Sequence, residues 1–339
     1  MTPAGYDLAA GGGEMGARVL RHDWAATPLG DLASWPQALR LTVGLLLESR
    51  HPMMLAWGPE LRMLYNDACG ETLGDRHPSA LGAPASDAWG AAWTQLGPRL
   101  RLVLERAQAV HEQRIRLLVE RGGVPEETFL TVSCTPVRHG HGVGGVLCHI
   151  VDETAQVVGE RRLRALHGLA AGLASARTRE ALEKEAGPLL GRAPHDVPFA
   201  LLYLRGSGGA LRLASHAGLE TAPTAPATLP DAAAWPCPEA GIGVVELGGL
   251  GLPSAGAGDL PPRQAAVVPV PAQAQEPAAG FLVLGLSPHR RFDEGYRAFL
   301  EALAAQVASG LASARSHQEE RRQAEEKLQA ALVASGSGT

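Results

Sequence analysis

Aromatic side chains are scarce in this chain of 339 residues, at 4%, and no block of Lys or Arg with interleaved aromatics occurs. With a net charge of −5, that absence removes the signature of a polyanion binder, so nucleic acid is not an expected partner. Long hydrophobic runs are missing too. The longest, around residues 41–47 and 280–286, fall far short of the roughly 20 residues that cross a bilayer, and no membrane partner is expected. Asp7 and Glu14 interrupt the N-terminus, where a secretory signal would place a basic stretch and then an apolar run. Cysteine is limited to Cys69, Cys134, Cys148 and Cys237, without a C-x-x-C pair. That usage predicts buried free thiols in a reducing compartment, and hence a cytoplasmic chain.

What is present describes a globular protein. Hydrophobic content of 45% with 19% charge predicts packed cores, and 41 Gly with 25 Pro predict long irregular loops. The length suits two domains. Residues 1–22, rich in Gly and Ala, are expected to be disordered. After Trp35-Pro36, the spacing of Leu39, Val43, Leu46 and Leu47 predicts a helix, with Pro36 in its first turn. Short strands are expected at 53–57 and 61–65 around Gly58-Pro59-Glu60. A helix over 92–109 and three strands over 111–120, 127–138 and 143–151 follow, the strands divided by Gly122-Gly123 and residues 140–142. That order is α+β with an antiparallel sheet. A second unit opens with helices over 156–176 and 179–190. Strands are expected at 198–205, 211–216, 265–270 and 279–286, with an apolar island at 242–247 inside a Pro/Gly/Ala-rich stretch, 217–264. Asp293 suits the N-cap of a last helix that continues as a charged segment, 318–332.

The joint between the halves reads Val151-Asp152-Glu153-Thr154. Short oxygen-bearing side chains bind nearby backbone N–H groups, so Asp152 and Thr154 are expected to cap the following helix and couple it to the sheet. Leu163, Leu166, Ala170 and Leu173 on that helix repeat at heptad spacing, as do Leu300, Leu303, Val307 and Ala314 on the last one. These seams predict a parallel homodimer. The competing reading is that both faces only cover their own sheet. Past His317 the seam weakens, because Arg321 falls on an a-type position.

Both halves resemble known families. Residues 27–155 resemble a PAS domain of bacterial sensor histidine kinases through Thr27-Pro28-Leu29-Gly30, Ser34-Trp35-Pro36-Gln37, Ala56-Trp57-Gly58 and Leu64-Tyr65-Asn66-Asp67. His77-Pro78, Pro125-Glu126-Glu127-Thr128 and the Asp152/Thr154 exit complete that match. Residues 160–315 resemble a GAF domain through Val268-Pro269-Val270, Gly280-Phe281-Leu282-Val283-Leu284 and Arg291-Phe292-Asp293. Leu328, Ala331, Leu332 and the tail Ala334-Ser335-Gly336-Ser337-Gly338-Thr339 look like a linker helix running into another PAS domain. The expected organisation is therefore a disordered segment (1–22), a PAS-like domain (23–155), a GAF-like domain (156–315) and a linker helix (316–339) leading to a downstream domain. Each domain is expected to be an antiparallel sheet flanked by helices, joined and followed by long helices.

The resemblance implies a sensory region, and the residues argue against chemistry in this chain. A phosphoacceptor helix and the Asn- and Gly-rich ATP boxes of a kinase are absent; His167 and His317 read as solvated helix residues. Asn66-Asp67-Ala68-Cys69-Gly70 lacks the Arg and Phe of the flavin-linked pattern, and neither His77 nor His111 is placed as an axial haem ligand. Cys148-His149 lies in a strand, and Cys237 has no neighbouring His, so covalent bilin is not expected. Phe292-Asp293-Glu294 lacks the Asn-Lys of cyclic-nucleotide-binding GAF domains, His139-Gly140-His141 has no third metal ligand, and His195-Asp196 reads as surface loop. No cofactor or metal site is read, although a small-molecule ligand would fit a PAS cavity lined by Met54, Leu64, Leu104 and Leu147, for which core packing is the rival role. The expected function is a non-catalytic PAS–GAF sensory and transmission region of a two-component protein, with a histidine kinase as output. The alternatives are a ligand-free dimerisation scaffold, or the regulatory part of a nucleotide cyclase or phosphatase.

Overall fold

The computed structural model describes residues 12–206, 208–219, 231–236, 238, 241–248, 250, 252, 260–272 and 277–336, the side chains of 333–336 excepted. Cys237, residues 1–11, much of 217–264 and Ser337-Gly338-Thr339 lie outside the described residues. The chain divides into two units, Met1–Val158 and Gly159–Thr339. Each is α+β, built on a five-stranded antiparallel sheet with flanking helices.

The first unit begins with a helix. In α1 (Gly13–Arg21), Met15 and Val19 sit at i and i+4 and are fully buried. The Asp67 carboxylate accepts hydrogen bonds from the Glu14 N–H at 3.0 Å and the Met15 N–H at 2.6 Å. A first-turn N–H has no partner inside its own helix, and Asp67 supplies one here. The expected disorder of residues 1–22 is thus corrected for 13–21: the cap comes from a residue distant in sequence, which local composition does not reveal. Next come α2 (Gln37–Glu48), β1 (Met53–Trp57), β2 (Arg62–Tyr65), α3 (Asp67–Leu73), α4 (Ala85–Trp89) and α5 (Trp93–Arg106). The long strands β3 (Val110–Arg121), β4 (Val124–His139) and β5 (Gly142–Asp152) close the unit. Sheet order is β2-β1-β5-β4-β3. Gly122 and Gly123, at φ 60 and 72, form the two-residue turn between β3 and β4, a left-handed pair that side chains disfavour.

Asn66 organises this unit. Its carboxamide oxygen accepts from the Met53 and Cys69 N–H groups at 3.0 and 3.1 Å, and its nitrogen donates to the Ser49 and His51 carbonyls at 2.9 and 2.7 Å. One buried side chain therefore ties the entry to β1, the start of α3 and the end of the α2 loop together. Five of the six tryptophans lie in this unit. Trp24 and Trp35 meet edge-on at 5.0 Å and donate to the Val19 and Gly30 carbonyls.

The second unit contains most of α6 (Thr154–Ala174), then α7 (Arg179–Leu190), β6 (Ala200–Arg205), β7 (Leu211–Ala217), β8 (Gly243–Glu246), β9 (Gln264–Val270), β10 (Gly280–Gly285) and α8 (Glu294–Gly336). Its order, β7-β6-β10-β9-β8, repeats the pattern of the first sheet. Alternation sends Leu202, Val268 and Leu282 into a core with Leu182, Leu300 and Val307, and sends Leu201, Tyr203, Phe281 and Val283 into a second core on the opposite face. Both faces are covered, which is why β10 is buried throughout. Asp293 caps α8 as expected, its Oδ1 accepting from the Tyr296 N–H at 2.7 Å.

Asn66→Ala should destabilise the first unit by about 3 kcal/mol, because four backbone groups lose their partner at once. Urea unfolding followed by tryptophan fluorescence tests this, since Trp24, Trp35, Trp57, Trp89 and Trp93 all lie in that unit.

Candidate functional site

The best-defined polar constellation surrounds the exit from the first sheet. β5 ends at Asp152 and α6 starts at Thr154. The Asp152 carboxylate accepts from the Thr154 N–H at 2.9 Å, so this side chain caps the first residue of the helix. The Thr154 hydroxyl does something else: it accepts from the Phe129 N–H of β4 at 2.9 Å. The Phe129 carbonyl accepts from the Glu153 N–H, also at 2.9 Å. Both backbone groups of Phe129 therefore hold the linker after the strand has ended. The expectation that Thr154 caps the helix is corrected, because its oxygen is turned back to the sheet.

Glu153, between the two expected residues, is the centre of a further set. Its carboxylate accepts from the Thr131 hydroxyl and pairs with Arg114 at 3.6 Å. Arg114 reaches it because β3 bulges: Gln113 and Arg114 stand opposite Thr131 alone, between the Glu112–Val132 and Ile115–Leu130 pairs. Arg114 adopts φ +54, and its N–H is held by the Thr131 Oγ1 at 3.1 Å. Arg121 lies 3.7 Å from Asp152 and 3.6 Å from Glu126. Sequence reading missed Glu153, Thr131, Arg114 and Arg121. A bulge on a non-glycine residue has no local signature, and the pairings join residues far apart in the chain.

Farther along α6 a second anchor appears. Arg161 Nε lies 2.7 Å from Asp196 Oδ2, and Arg162 Nε lies 3.2 Å from Oδ1. Asp196 is 0% exposed, which corrects its reading as surface loop; His195 beside it is exposed. The Arg162 guanidinium sits 4.5 Å over the Tyr296 ring and 5.2 Å over Phe299. Tyr296 donates its hydroxyl proton to the Asp196 carbonyl and accepts from the Ser287 N–H at 3.0 Å. Burial pushes the Tyr296 phenol up, so it stays a donor.

The expected cavity residues do not share one wall. Register pairs Met54 with Tyr65 and Cys148, but Leu55 with Leu64 and Leu147. Met54 therefore projects from one face, and Leu64 and Leu147 from the other. Met54 and Leu64 are buried in packing, while Leu104 and Leu147 are partly buried against the same core. A cleft of about 490 Å³ lies instead between α1 and residues 78–81, lined by Arg18, Arg21, His22 and Ser79 among others. On the second sheet's outer face, Tyr203 stacks on Phe281 at 4.8 Å, and the Trp235 indole donates to the Tyr203 hydroxyl at 3.2 Å. Among the described residues no cluster of three or more His, Cys, Asp or Glu could hold a metal. No helix among them is long and apolar enough to cross a membrane.

The expected dimer seams are also redistributed. Leu173, Leu300, Leu303, Val307 and Ala314 are buried in their own unit, at most 3% exposed, so they have no surface left for a partner. Leu166 and Ala170 are half-buried and Leu163 is 57% exposed. The heptad spacing arises because a helix covering a sheet repeats its inward residues at the same interval as a coiled coil.

No protein-family model matches the sequence, and no curated protein matches it. Among solved structures, the phytochrome photosensory core module of Stigmatella aurantiaca aligns at 15% identity with a TM-score of 0.36, covering 82% of this chain and 60% of that one. A bacteriophytochrome from the photosynthetic bacterium R. palustris aligns at 14% identity and a TM-score of 0.33, covering 82% and 61%. The chain thus spans about three-fifths of the length of each.

Asp196→Ala should lower the stability of the second unit by about 3–5 kcal/mol, since two largely buried guanidiniums lose their counter-charge. Asp196→Asn, which keeps the shape and one acceptor, should cost less. Denaturant midpoints of the two variants check both the size and the ranking.

Proposed function

We propose that this chain is a non-catalytic sensory and signal-transmission region, PAS-like and then GAF-like, of a bacterial two-component protein whose output is a histidine kinase. The observation that carries this reading is the double anchoring of α6. Asp152, Glu153 and Thr154 tie its start to β3 and β4, while Arg161 and Arg162 tie its next turns to Asp196. A strain or register change in the first sheet is delivered to a hydrogen-bonded helix whose next contacts belong to the second unit. The last helix supports the same reading. One apolar face of it is buried as far as Ala314, and every described side chain from Arg315 to Leu332 is exposed.

Along that exposed stretch, His317–Glu320, Arg321–Glu325 and Arg322–Glu326 pair at i,i+3 and i,i+4, and Leu328 and Leu332 are 63% and 62% exposed. Such pairs hold a helix only weakly in isolation. In this reading a parallel homodimer covers Leu328, Ala331 and Leu332, and the helix runs on to the output domain. The protein works in the cytoplasm, with neither membrane nor nucleic acid as partner. A ligand-free dimerisation scaffold is the second reading, favoured by the Tyr203–Phe281–Trp235 packing that fills one sheet face.

In the intact parent, Asp152→Ala, which loses the cap, or Thr154→Ala, which loses the hydrogen bond to Phe129, should reduce the response of output activity to its signal, with stability falling by only about 1 kcal/mol. Unchanged regulation in both variants sinks the coupling role. Leu328→Glu with Leu332→Glu should shift this chain from dimer to monomer in sedimentation velocity. Native mass and an ultraviolet–visible spectrum separate the two readings: a reproducibly bound small molecule supports sensing, and an apo dimer supports the scaffold.

A further inference from the structure

Cys134 and Cys148 occupy directly paired positions on β4 and β5, the central strands of the first sheet. Both are buried, at 1% and 0% exposure, and both are free. The Cys148 thiol donates to Cys134 Sγ at 2.9 Å. A disulfide needs its sulfurs at about 2.05 Å on Cβ atoms facing one another, and opposed residues on adjacent antiparallel strands already face that way. The gap left to close is under about 1 Å. Cys69 also lies inside this core, but on α3 rather than on a paired strand.

We propose that Cys134 and Cys148 form a redox-modification site, closed to a cross-strand disulfide by a hydroperoxide. In the first step one thiolate sulfur attacks the terminal peroxide oxygen: an S–O bond forms, the O–O bond breaks, and an alcohol, or water from hydrogen peroxide, leaves after protonation. In the second step the other sulfur attacks the sulfenic sulfur: the S–S bond forms, the S–O bond breaks, and the departing hydroxide takes the second thiol's proton as water. Two thiols lose two electrons and two protons, and one peroxide is reduced. The hydrogen bond to Cys134 and then burial hold the Cys148 thiol well above its ordinary pKa. The Cys148 thiol is therefore protonated at neutral pH and reacts slowly, faster as pH rises.

The disulfide would fix β4 to β5 on the two strands that carry the exit contacts, Phe129 and Thr131 on one and Asp152 on the other. That consequence rests on the function proposed above; the bond itself does not. The test uses the whole chain in native buffer with hydrogen peroxide over hours, followed by denaturing alkylation and intact mass. The expected result is one fewer alkylated pair and a loss of roughly 2 mass units, mapped by proteolysis to a linked peptide containing Cys134 and Cys148. A Cys69→Ser/Cys237→Ser variant should behave the same, Cys134→Ser should not, and the rate should rise about tenfold per pH unit between 7 and 8. No disulfide, or one mapped to another pair, overturns the proposal whether or not the chain signals. A mapped Cys134–Cys148 bond with unaltered output of the parent leaves the site standing and counts against the coupling.

Discussion

A carboxylate taken fully out of water has to be met by positive charge, and in this molecule the charges that meet Asp196 lie on α6. That requirement sets the placement of the helix in the second unit. The arginines cannot slide by a residue without leaving an ion unmatched, and Arg162 is further confined by the Tyr296 and Phe299 rings. At its other end the helix is held by hydrogen bonds and partly exposed ion pairs at 3.6 and 3.7 Å, of which the pairs contribute little each. The two fastenings differ in kind, a buried ion cluster at Asp196 and a partly exposed set of hydrogen bonds and ion pairs around Glu153.

Much of the fold was legible from periodicity. α2, α5 and α7, the strands of both sheets, the Gly122-Gly123 turn and the Asp293 cap follow from apolar spacing and turn chemistry. The failures share a cause, which is that they depend on partners remote in sequence. α1 reads as a flexible tail until Asp67 is seen at its first turn. Asp196 reads as a loop residue until its arginines are located. Met54 and Leu64 read as neighbours in one cavity, yet their side depends on the β1–β2 register, and a shift of one residue exchanges the faces. The candidate site is half legible: local chemistry marks Asp152 and Thr154, whereas nothing local distinguishes Glu153 between them, whose partners Thr131 and Arg114 are remote in sequence.

The helical seams carry a related lesson. Leu300, Leu303 and Val307 obey a heptad because they line a sheet, and the same spacing would serve an intermolecular zipper. Sequence cannot separate the two uses; burial can. Past Ala314 the balance reverses. The side chains there are charged, paired along their own helix and open to solvent, with Leu328 and Leu332 the large apolar exceptions.

The bulge at Arg114 has one more consequence. β3 is an outermost strand of its sheet and twelve residues long, and an edge strand is where an extended peptide can add to a sheet. A left-handed arginine in the middle of that strand, with His111, Glu112, Gln113 and Arg116 around it, breaks the flat template that cross-β stacking requires. The same local distortion that aims a guanidinium at Glu153 therefore also interrupts the regular outer strand of the sheet.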